Sequence, residues 1–106
     1  MTRPERLGEA VVRRWLAEHG SWRLDGGHLV REIATKDYAS AITIAQGQID
    51  IAERLDHHPL LSIGYRSLRV EVWTHDRDAL TQLDLEYAQS FDALVTARFG
   101  DVVVAR

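Results

Sequence analysis

Residues 53–76 read ERLDHHPLLSIGYRSLRVEVWTHD, and two changes of pattern inside this stretch decide the fold. On its N-terminal side, Tyr38, Ala41, Ile42, Ala45, Ile49, Ala52 and Leu55 recur at helical spacing. They predict one helix over residues 37–56 with a single apolar stripe. Pro59 disfavours helical geometry at the residue before it, so this helix should stop near Asp56 or His57. Beyond the proline the period falls to two. Residues 61–66 and 68–74 read as strands, and in the second Leu68, Val70 and Val72 alternate with Arg69, Glu71 and Trp73. One face is apolar and the other mixed, as in a sheet covered on one side.

The same reading extends outward. Residues 5–19 carry Leu7, Ala10, Val11, Trp15 and Leu16 at helical spacing, with Gly20 as a stop. In SWRLDGGHLVREIA, Asp25-Gly26-Gly27 is a turn signal between two extended runs, which predicts a hairpin. A last helix begins near Thr81, where TQLD has the form of a capping box with Asp84 as its acidic member. Tyr87, Ala88, Phe91, Leu94 and Val95 continue it, and the tail at 101–106 reads as a short strand or as disorder. The order is α-β-β-α-β-β-α. Short connections favour antiparallel pairing, so the expected fold is α+β: a four-stranded antiparallel sheet with three helices on one face. The other face stays partly open, and unpaired edge strands offer a route to self-association.

Composition narrows the function classes. The 106 residues fit a single domain spanning 1–106, and 45% hydrophobic residues suffice for one small core. The formal charge of −3, with no basic run, gives no sign of a nucleic-acid partner. The chain has no cysteine, which excludes disulfides, thiolate catalysis and cysteine-held metals. No apolar stretch approaches a membrane span and the N-terminus lacks an apolar signal core, so a cytoplasmic protein is expected.

Four residues carry the chemistry. Histidine occurs five times, and His57 and His58 are adjacent at the predicted helix end. Glu53 lies four residues before His57 and shares its helix face if the last turn holds, either as an orienter for that ring or as a solvated helix residue. His58 points elsewhere. By alternation His75 belongs with Arg69, Glu71 and Trp73 on the outward face of its strand. Glu53, His57, His58 and His75 are therefore expected to converge at one rim of the open face. Imidazole exchanges protons near neutral pH, so two such rings can donate to one atom and accept from another. A histidine at a helix C-terminus is also favoured by the helix dipole alone. Asp84 reads as a capping residue rather than a catalytic one, and His19 and His28 receive no role. Three histidines and a glutamate are suitable zinc ligands, but adjacent histidines do not make the one-face pair that i, i+4 spacing gives, so metal binding is the lesser reading; no metal is expected, and no cofactor is assigned.

These residues resemble the pterin-4a-carbinolamine dehydratase family. Its pattern has an acidic or similar residue, then His-His-Pro, an aromatic, a histidine or tryptophan and a later aspartate; Glu53, His57-His58-Pro59, Tyr65, His75 and Asp84 fill those slots. Trp22, KDYASAI, THD and LTQLDLEYA extend the likeness over most of residues 20–97. The chain departs from the family at Ile33-Ala34-Thr35, at Leu60-Leu61 and at Asp78-Ala79, where family members often carry aromatics or paired glycines. The resemblance implies a dimer or tetramer of the α+β fold. It also implies a metal-free dehydration of 4a-hydroxytetrahydropterin to quinonoid dihydropterin, in the recycling of a hydroxylase cofactor. His57 and His75 would do the acid and base work, with His58 shaping the site or binding the pterin and Glu53 orienting His57. Relatives that act as transcription partners or assembly helpers supply the alternative, a non-catalytic binding module of the same fold.

Overall fold

The computed structural model describes residues 5–104. Helix α1 (Glu9–Glu18) is followed by the hairpin β1 (Arg23–Asp25) and β2 (His28–Ala34). Helices α2 (Tyr38–Gly47) and α3 (Ile49–Leu55) come next, then β3 (Leu60–Gly64), β4 (Ser67–Val72) and the long α4 (Gln82–Arg98). The strands form one antiparallel sheet in the order β1-β2-β4-β3, which leaves β1 and β3 as edges. The architecture expected from the sequence is present, with α2 and α3 together filling the second helix slot.

The turn between β1 and β2 is a two-residue loop. Gly26 and Gly27 have φ of 61° and 84°, the positive values a twisted hairpin demands. Register then sorts the side chains. Leu29 and Ile33 of β2 face the helices with Leu68, Val70 and Val72 of β4, and all five are buried. Tyr87, Ala88, Phe91 and Val95 of α4 and Ala41, Ile44 and Ala52 of the α2–α3 pair complete the same core. Trp22 Nε1 donates to Asp92 on α4 (2.9 Å), and Arg31 donates to the same carboxylate at 2.5 Å. These bonds tie α4 to the hairpin.

Three local readings are corrected. The helix expected over 37–56 breaks at Gln48. There Gly47 lies close to the Phe99 ring, and the buried Gln48 accepts a hydrogen bond from Tyr87 at 2.7 Å. The buried stripe runs through Ala41, Ile44, Ala45, Gln48, Ile51 and Ala52, which leaves Tyr38 and Ile49 about half exposed at 52% and 50%. Helix α1 starts at Glu9 rather than residue 5, because the Leu7 N–H is bonded to the Leu80 carbonyl outside any helix. The tail neither forms a full strand nor lies free up to residue 104. Val103 bridges Thr35, with flanking bonds from Lys36 to Val102 and from Val104 to Ala34; residues 105–106 lie outside the described residues.

The outward face of the sheet is charged. Arg69 of β4 donates to Glu71 (2.6 Å) and to Asp25 (2.9 Å), and Arg23 donates to Glu32 (3.1 Å). Val30 lies among these side chains by register and is fully buried, so their aliphatic stems cover it.

Candidate active site

The site begins with the way α3 ends. Asp56 adopts the left-handed conformation (φ 48°, ψ 47°). Its N–H bonds to the Glu53 carbonyl and the next N–H, that of His57, reaches back to Ala52 at 2.9 Å. This is the paired-bond closure that usually carries glycine at the left-handed position; aspartate is among the few other residues that tolerate it. The reversal separates the adjacent histidines. His57 is turned inward and is 7% exposed, while the His58 side chain is 55% exposed. Pro59 then leads directly into β3.

His57 meets a carboxylate buried beneath it. Its Nε2 lies 2.5 Å from Oδ1 of Asp84, which is 0% exposed. The second oxygen, Oδ2, accepts from the Thr81 N–H (2.8 Å) and the Thr74 hydroxyl (2.9 Å). Thr74 and Thr81 hydroxyls are themselves 2.7 Å apart. The expected capping box is present, and Asp84 is both its acidic member and the partner of His57. Such a polar cluster is tolerable in a core because its members satisfy one another.

Glu53 does not orient His57. Its carboxylate lies 3.3 Å from His58 Nε2, and both groups are exposed. The left-handed residue explains the exchange: it carries position 57 off the helix face that i, i+4 spacing assumes and leaves Glu53 beside position 58.

His75 follows β4 in a tight turn. The Thr74–Ala79 bridge and the bond from Asp78 N–H to the His75 carbonyl close it, with Asp78 at φ 46°. The imidazole stacks on Trp73, with centroids 4.4 Å apart and planes at 8°. His57, His58 and His75 line one cavity of about 290 Å³, with Asp56, Thr74, Asp76 and Leu83 completing its wall. That is close to the smallest size usual for a small-molecule site. A larger cleft of about 690 Å³ between α1 and the hairpin turn contains no histidine; leucines and Val12 line it together with Arg6, Glu9, Arg13 and Asp78. Of these two cavities, the smaller is the one lined by imidazoles. Among the described residues, no group of three or more His, Cys, Asp or Glu side chains is placed to hold a metal ion. No helix of the described chain is long and apolar enough to cross a membrane.

Two residues that the sequence reading set aside belong to this region. Asp84 was legible as a cap, and the aspartate slot of the family pattern was the one signal of a second task. His28 gave no signal, because its place beside Trp73 depends on strand register.

The comparisons with known proteins agree on family and fold. The family model described as pterin 4 alpha carbinolamine dehydratase matches residues 5–94. A Rhizobium meliloti protein provisionally named pterin-4-alpha-carbinolamine dehydratase is 35% identical over 101 residues, covering 93% of this chain and 97% of its own. A Metallosphaera sedula protein with the same provisional name is 39% identical over 74 residues, 70% of this chain and 77% of that one. The crystal structure of a Brucella melitensis transcriptional coactivator/pterin dehydratase superposes with a TM-score of 0.78 at 29% identity, over 85% of this chain and 98% of that one. A pterin dehydratase-like protein identified as a RuBisCO assembly factor in the alpha-carboxysome shares the fold. It has a TM-score of 0.58 at 20% identity, over 72% of this chain and 90% of its own.

Proposed function

The chain belongs to the pterin 4 alpha carbinolamine dehydratase family, and we propose that it removes water from a 4a-hydroxytetrahydropterin to give the quinonoid dihydropterin. The observation that carries this reading is the convergence of His57, His58 and His75 on one cavity. The reaction breaks the C4a–O bond, delivers a proton to the departing oxygen and takes the proton from N5. Hydroxide leaves poorly unless it is protonated, so an acid and a base must face the ring together.

The surroundings of His57 suit it to be the base. The Asp84 carboxylate beside Nε2 favours the tautomer with hydrogen on that nitrogen, which leaves the lone pair on Nδ1. The same carboxylate stabilises the imidazolium once the N5 proton has been taken. His75, on the opposite element of the cavity wall, is the acid for the 4a-hydroxyl. His58, exposed at the rim with Glu53 beside it, binds the polar edge of the pterin. No metal and no cofactor takes part in this scheme, and recycling of a hydroxylase cofactor is the role it serves.

Self-association as a homodimer or homotetramer accompanies the reading. The free edge β3 and its turn expose Leu60, Ile63 and Tyr65, and the α2–α3 pair exposes Tyr38 and Ile49. Exposed apolar residues beside an unpaired edge are suited to burial against a second copy.

Rapid mixing with freshly generated 4a-carbinolamine tests the proposal. Dehydration faster than in buffer and unaffected by chelators is expected, falling by about 10²-fold or more in His57→Ala and His75→Ala. Activity abolished by a chelator points to a metal instead. A folded but inactive wild-type protein favours the non-catalytic binding module.

A further inference from the structure

His28 stands directly behind the site. Leu29 pairs with Val72, so the register sets His28 beside Trp73 on the outward face of the sheet. The His28 ring lies 4.0 Å from the indole with planes 4° from parallel, and His75 lies 4.4 Å from the same indole at 8°. Two imidazoles at those spacings cannot share one face of an indole without clashing, so they sandwich it. The outer member of this stack is anchored. His28 Nδ1 lies 2.5 Å from Glu71, whose other oxygen accepts from Arg69, and Arg69 is bonded in turn to Asp25.

The inner member depends on the stack. His75 sits in an exposed turn, and the contact the structure gives its ring is the stack on Trp73. An unrestrained imidazole there would spread over several staggered rotamers, most of them out of reach of a substrate proton.

We propose that His28 is a positioning residue: clamped by Glu71, it holds Trp73 flat and thereby holds the His75 imidazole at the cavity. The inference rests on the dehydratase reading for its catalytic consequence, though not for its geometry. Without His28, one face of the indole is open to water, Trp73 gains rotational freedom and His75 loses its fixed aim. A displacement of about 1 Å at a reacting group can cost up to ~10²-fold in rate.

The experiment compares wild type, His28→Ala and His28→Phe by rapid-mixing kinetics, thermal melting and NMR of the His75 ring protons. His28→Ala should lower kcat about tenfold with KM near wild type, and Tm should fall modestly because Glu71 loses one of its partners. His28→Phe, which can stack without the bond to Glu71, should recover most of that loss. The upfield ring-current shift of the His75 protons should shrink in His28→Ala and return in His28→Phe. The proposal is overturned if His28→Ala keeps kcat within about twofold of wild type, if both variants lose equally, or if the His75 resonances do not move. A wild type without dehydratase activity strikes only the functional reading; the NMR comparison then decides the positioning on its own.

Discussion

His57 and His75 border the same cavity under opposite constraints. His57 is sheltered, and directional bonds fix it: a buried carboxylate on one nitrogen, with Thr74 and Thr81 holding that carboxylate in place. His75 is exposed, and flat surfaces fix it through Trp73 and His28. A hydrogen-bonded clamp specifies a tautomer and couples the site to the core. A stacked clamp specifies an aim through the ring face and couples the site to the charged outer face. The two rings are thus suited to different tasks: one to hold a defined lone pair, the other to carry a proton in and out.

The sharpest break of this contrast is Asp84→Ala. It leaves the His57 Nε2–H, the Thr81 N–H and the Thr74 hydroxyl without their buried acceptor and removes the acidic half of the α4 cap. Leaving buried donors without their acceptor costs roughly 1–3 kcal/mol each. Urea denaturation followed by tryptophan fluorescence should show a correspondingly lower midpoint, and a loss below ~1 kcal/mol would mean that the cluster is less closed than its distances indicate.

A smaller effect is expected at the outer clamp, and it depends on pH. The hydrogen bond from His28, reinforced by the bonds from Arg69, holds the Glu71 carboxyl below the usual carboxylate range against the opposing effect of burial. A lowered folded-state value means that this stabilisation is complete above the ordinary value of 4.5 and is lost as pH falls through the lower folded value. Melting temperature should therefore fall on acidification below about pH 4.5, and Glu71→Gln should make that decline shallower. An unchanged acid limb in Glu71→Gln would remove the clamp's anchor from the argument.

Glu53→Gln should do least. Its partner His58 is exposed and 3.3 Å away, and exposed pairs contribute about 0–1 kcal/mol. Stability within ~0.5 kcal/mol of wild type is expected, with any kinetic change appearing in KM. A large drop in kcat would return Glu53 to the orienting role that its spacing first suggested.

These differences track what the sequence could carry. The stop at Pro59, the Gly26-Gly27 turn, the alternation in β4 and the Thr81–Asp84 box are local signals, written in residues a few positions apart, and each was legible. The convergence of positions 57, 58 and 75 was legible as an expectation because helix end and strand end are both marked. Long-range facts were not. The helix break at Gln48 depends on Phe99 and Tyr87, far along the chain. The bond from His57 to Asp84 spans 27 positions. The stack of His28 on Trp73 exists only once β2 and β4 are in register. Periodicity also placed the buried stripe of α2 and α3 about one residue off, since Tyr38 and Ile49 are apolar and yet face outward.

The left-handed residue at position 56 bears on how the site withstands change. A single pair of backbone angles assigns one of two chemically identical neighbours to the interior and the other to the surface. The doublet is therefore no spare-part arrangement: if the inner ring is lost, the outer one has no route to its socket, and the repeated letter confers no redundancy.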